Sequence, residues 1–134
     1  MYLIGYVTWS PQFRQHLRED GRMRKVTRAE ADQALESLQT SPQDHEALAV
    51  AVRTSLQWFA EQHPGRAVEV RVPPLLAIQI LGGTTHRRGT PPAVVEMSPQ
   101  TWLELFTKKL TWANAVANGM ITASGERSNL SELL

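Results

Sequence analysis

Apolar residues recur at helical spacing over two early stretches of the chain and at alternate positions in its middle. Ala31, Ala34, Leu35 and Leu38 form the first stripe. Thr27 with Glu30 three residues later opens it, a pairing that satisfies two helix-start donors reciprocally. Thr40-Ser41-Pro42 interrupts the pattern. Ser41 with Asp44 predicts the start of a second, longer helix reaching about Gln62. Its inward residues are Leu48, Ala51, Val52, Ser55, Leu56 and Phe59, its outward ones Arg53, Gln57 and Glu61, and His63-Pro64-Gly65 ends it. The period then falls to two. Val68, Val70 and Val72 alternate with Glu69 and Arg71, which predicts a strand with one wet face. Pro73-Pro74 demands a bend or an edge, Leu76, Ile78 and Ile80 continue as a second strand, and Val94 to Met97 form a third.

From Ser98 the helical period returns. Ser98 caps a helix whose first position is Pro99, where the missing N–H costs nothing, and Trp102, Leu105 and Phe106 share one face. Thr111 caps another short helix through Ala113, Val116 and Ala117, and Gly119 stands where a left-handed residue stops it. Met120 to Ser124 alternates as a strand, Gly125 turns the chain, and Ser128 caps a last short helix with Leu130, Leu133 and Leu134 on one face. Helices and strands in separate runs predict an α+β fold. It has two N-terminal helices and a mostly antiparallel sheet of four to five strands, with a helical crossover and helices on one face.

Composition narrows this little. A chain of 134 residues with 42% hydrophobic and 20% charged residues suits one globular domain. Residues 1–22 keep no period, so the expected division is an irregular leader over 1–22 and a single domain over 23–134. Charge is uneven: residues 1–28 carry six basic groups against two acidic ones, the remainder eight against eleven. A basic arm can serve nucleic acid or anionic lipid, but a short run of mixed sign reads as a solvated arm. No cysteine is present, which removes disulfides, thiolate metal sites and cysteine catalysis. No apolar run approaches a membrane span, and the apolar start lacks the flanks of a signal peptide. The expectation is a cytoplasmic protein without stable membrane insertion.

Catalytic chemistry finds little footing. His16, His45, His63 and His86 are scattered and none has a helical partner, so no metal site is expected. Neither a nucleophile elbow nor a phosphate-binding loop motif is present, and no cofactor is implied. Glu69 and Glu96 would meet only if their strands pair, and would then face solvent. Trp58 and Trp102 are expected in the core and Trp112 partly exposed. The strands carry no aromatics interleaved with basic residues, which argues against nucleic acid. The one polar candidate is the loop Gly82 to Pro92. Arg87 and Arg88 there could clamp an anionic head group, or simply solubilise a flexible connection.

The last third resembles the sterol-carrier-protein family of small lipid-binding domains, closest to its short stand-alone bacterial members. The elements that carry the resemblance are Trp102-Leu103, Lys108-Lys109-Leu110, Trp112-Ala113 to Asn118-Gly119, Ile121 to Gly125, and Leu130 to Leu134. Pro64 to Pro74 and Arg88 to Glu96 add to it, and it extends over residues 24 to 134. Lys109 departs from the family, where many members have glycine. The resemblance implies a hydrophobic tunnel between sheet and helices and a non-catalytic carrier of a fatty acyl, isoprenoid or sterol-like lipid. The expected lining is Val70, Val72, Ile78, Ile80, Trp102, Phe106, Leu130 and Leu133, with the last two in a lid. The alternative is an accessory domain with a filled core that docks on an enzyme partner, since related domains occur fused to enzymes.

Overall fold

A computed structural model describes residues 25–82 and 93–134. The leader expected over residues 1–22 and the loop carrying Arg87 and Arg88 lie outside the described residues. The first helix, α1 (Arg28–Thr40), begins where Thr27 Oγ1 accepts the Glu30 N–H at 3.1 Å. The second, α2 (His45–Gln62), is capped by Asp44, whose carboxylate accepts the Glu46 N–H at 2.9 Å. Ser41, expected to share in that start, instead closes α1, its N–H donating to Ser37 O.

Strands β1 (Val68–Val72), β2 (Leu76–Ile80), β3 (Ala93–Met97) and β4 (Ile121–Ser124) form one sheet in the order β2-β1-β3-β4. Its outer seams are antiparallel, and β1 and β3 run parallel at the centre. A tight turn through the cis Pro73–Pro74 bond joins β1 to β2. The long route through β2 and the segment after it returns the chain to the start of β1, which a parallel pair requires. Register places Val68, Val70 and Val72 opposite Ile80, Ile78 and Leu76, and Val95 beside Val70, so one sheet face is continuously apolar.

Between β3 and β4 lie α3 (Pro99–Phe106) and α4 (Trp112–Ala117), capped by Ser98 and Thr111 as expected. Helix α2 is central: it packs on α1, on α3 and on β2. Eight of its residues are buried, and Ala51, Val52, Leu56, Phe59 and Ala60 among them close the core against the apolar sheet face. Two backbone positions hold the connections. Gly65 has φ +145°, and a Cβ there would stand 2.0 Å from the Leu81 carbonyl, so no side chain fits. Between α3 and α4 the left-handed residue is Lys108, with φ 64°, one position ahead of the lysine that departs from the family pattern.

The chain end differs from expectation. No helix forms after Gly125; Leu133 and Leu134 donate to Leu130 O, making one turn, and it is Asn129 rather than Ser128 whose side chain caps it, accepting from Ser131 N–H. The turn is pinned from its start, where Arg127 donates to Gly82 O.

Candidate functional site

The sequence points to the space between the sheet and α2–α3, and that is where most of the expected lining lies. Val70, Val72, Ile80, Trp102 and Leu130 are each fully buried at 0% exposure, and Phe106 retains 6%. Ile78 and Leu133 are half-buried and pack at the edge of the same core. Register explains the first group: Val70 and Val72 sit in the middle strand rows, with Ile80 facing Val68 at the far end of the hairpin.

Trp102 is held by chemistry as well as shape. Its indole Nε1–H donates to Ser55 Oγ at 2.9 Å, and the Ser55 hydroxyl in turn donates to Ala51 O at 2.6 Å. Both partners are 0% exposed. A buried indole N–H would be costly alone; Ser55 Oγ satisfies it, while the hydroxyl's own proton goes to the Ala51 carbonyl. Phe59 and Phe106 pack on Trp102 with ring centroids at 5.3 and 5.6 Å. The cluster therefore fixes α3 across α2. Ser55 was legible as an inward residue, but not as the partner of a tryptophan 47 positions away.

Arg28, read from the sequence only as one of the six basic groups of residues 1–28, joins this cluster from outside. Its guanidinium carbon lies 4.9 Å from the Trp58 ring centre and 4.7 Å from that of Phe106, within cation–π range of both. The same group is ion-paired to Asp32 at 3.1 Å. Beside it the Val26 N–H donates to both oxygens of Glu61, and Gln57 donates to that carboxylate at 3.2 Å. Gln57, expected outward, is buried at 4% exposure because α1 covers that side of α2. Along α2, burial lowers the pKa of the Arg53 guanidinium from its ordinary value, and nearby Glu46 opposes the shift.

The outer sheet face also departs from expectation. Glu69 is 4% exposed rather than solvent-facing, and Arg71, two residues along the same strand, donates to its carboxylate. Glu96 lies beside Arg71 in the parallel register, so the two carboxylates do not face one another. Trp112, expected partly exposed, is buried at 8%. His63 stacks on Phe59 with centroids at 4.7 Å, and no metal-binding group of His, Asp or Glu exists among the described residues.

An open depression of about 250 Å³ lies where β3 ends and β4 begins, walled by Pro73, Glu96, Met97, Ser98, Met120 and Thr122. None of the eight expected lining residues borders it. Its wall mixes a carboxylate and hydroxyls with two thioethers, and its volume is below the roughly 300–1,000 Å³ of ordinary ligand pockets.

Residues 44–134 match the family model described as bacterial SCP ortholog. The chain belongs to this sterol-carrier-protein-like family. The match starts at Asp44, so α2, all four strands and the C-terminal turn lie within it, while α1 lies ahead of it. Among solved structures the chain is similar to sterol carrier protein 2 like 2 from Aedes aegypti. That likeness has 14% identity, covers 76% of this chain and 94% of the other, and has a TM-score of 0.33. A comparison with curated proteins finds no match. No described helix is long and apolar enough to cross a membrane.

Proposed function

We propose that this protein is a non-catalytic carrier of a hydrophobic ligand, a fatty acyl chain, isoprenoid or sterol-like lipid. Membership of the sterol-carrier-protein-like family over residues 44–134 carries the reading. An apolar sheet face opposed by apolar helix faces is the surface such a ligand would use. Burial would supply affinity at about 25 cal/mol per Å², offset by the freedom that the ligand loses. The packing sorts the expected lining. Trp102, fixed to Ser55 and packed against two phenylalanines, serves as scaffold. Ile78 and Leu133 are half-buried and can exchange protein contacts for ligand contacts at small cost.

The second reading is an accessory domain docking on an enzyme, and a specific observation favours it. Five of the eight expected lining residues are fully buried by the protein itself. Titration with a fluorescent fatty-acyl analogue separates the two. Saturable binding at one site, weakened by Ile78→Asp or Leu133→Asp in variants that stay cooperatively folded, is the outcome for carriage. Absence of saturable binding by a well-folded protein is the outcome for docking.

A further inference from the structure

Helix α1 lies ahead of the family core, yet it covers aromatic side chains that the core presents. It packs along α2 but contributes few residues to the core. Within α1 only Ala31 and Ala34 are buried, Leu35 and Leu38 are half-buried, and Val26 adds one more apolar contact just before it. By contrast, α2 buries eight residues. The polar and cationic contacts of α1 concentrate at its N-terminal end: the Val26 N–H on the Glu61 carboxylate, and the Arg28 guanidinium over Trp58 and Phe106. At its other end it is tied to α2 by the short turn Ser41–Asp44, where Asp44 N–H donates to Ser41 O. The helix supplies its own cap, Thr27, and its own ion pair, Arg28–Asp32. It is thus hinged at one end and latched at the other.

We propose that α1 is a strap that undocks from α2 and α3 as a unit, uncovering Trp58 and Phe106 while the rest of the domain stays folded. The aromatic surface released is continuous with Phe59 and Trp102, since Phe106 packs on Trp102 at 5.6 Å and Trp58 on Phe106 at 6.1 Å. An apolar ligand meets there a face that closure hides. In the part of the inference that rests on the carrier reading, the uncovered face is the entrance for the ligand.

Amide hydrogen exchange of the full chain tests the strap directly. A free helix of about 13 residues is marginal in water, so α1 loses protection whenever it leaves α2. Amides of residues 32–40 should exchange at least roughly a hundredfold faster than the slowest amides of α2, as expected for sub-global opening. Arg28→Ala should accelerate α1 exchange about tenfold further, through loss of two ring contacts, and leave α2 within about twofold. Arg28→Lys should fall between. Equal protection of α1 and α2, or equal acceleration of both by Arg28→Ala, would overturn the strap. Stopped-flow uptake of a fluorescent fatty-acyl analogue tests the entrance. Faster association with Arg28→Ala supports it, and an unchanged rate overturns it. Failure to bind at all overturns both the carrier reading and the entrance, and leaves the strap to be decided by the exchange data.

Discussion

Replacing Ser55 by alanine probes a buried polar contact that ties α2 to α3. In the native protein the Trp102 indole N–H has Ser55 Oγ as its partner at 2.9 Å, and both residues are 0% exposed. Alanine leaves that donor in an apolar site, where an unmade hydrogen bond costs about 1–3 kcal/mol. Alanine is also the better helix former, which returns roughly half a kcal/mol in mid-helix. The net loss should be about 1–2 kcal/mol, read as a lower urea midpoint at constant slope and a fall of roughly 3–8 °C in Tm. The deciding comparison is a double-mutant cycle with Trp102→Phe, which removes the donor. In that background Ser55→Ala has no orphan to create, and its cost should vanish or change sign, giving a coupling of about 1 kcal/mol or more. The same cost in both backgrounds would refute the argument that the pair, rather than the serine alone, is what stabilises the crossing.

Two further substitutions follow from the packing. Gly65→Ala places a Cβ 2.0 Å from backbone atoms of Leu81 at φ +145°, so circular dichroism should find a loss of more than roughly 3 kcal/mol or no folded protein; a normal melt would contradict this. Leu130→Ala empties a fully buried position and should cost about 2–5 kcal/mol in urea unfolding, whereas Leu133→Ala, at a half-buried position, should cost less than half as much. Equal costs would mean that the C-terminal turn does not divide into core and rim.

Local signals in this chain were legible and non-local ones were not. Thr27, Ser98 and Thr111 cap the helices they were expected to cap, because capping depends on a few neighbouring residues. Strands β1 and β2 run between the bounds that Gly65, Pro73 and Pro74 suggest, and Gly119 is left-handed at φ +69° as its place after α4 requires. Ser41 with Asp44 reads as a joint start signal for α2. Ser41 is taken up by the end of α1, which leaves Asp44 as the cap. The α+β class followed from separate runs of period, but the parallel β1–β3 seam did not, since strand order is set by which faces meet. The same reason hid the burial of Gln57 beneath α1, of Glu69 beside Arg71, and of Trp112. Arg28 over Trp58 and Phe106 joins three distant stretches, and no spacing rule connects them. The C-terminal leucines were expected on one helix face and instead lie in a single turn, because stripe spacing alone does not specify a helix.

The most direct test of carriage is native mass spectrometry of the protein purified from its own host, without added lipid or detergent. The account predicts, beside or in place of the bare 15.0 kDa chain, a species heavier by one lipid, released as an intact fatty acyl, isoprenoid or sterol-like molecule on collisional activation. A single bare species that also fails to take up any such lipid offered in excess would contradict it, and would assign the domain to docking on a partner protein instead.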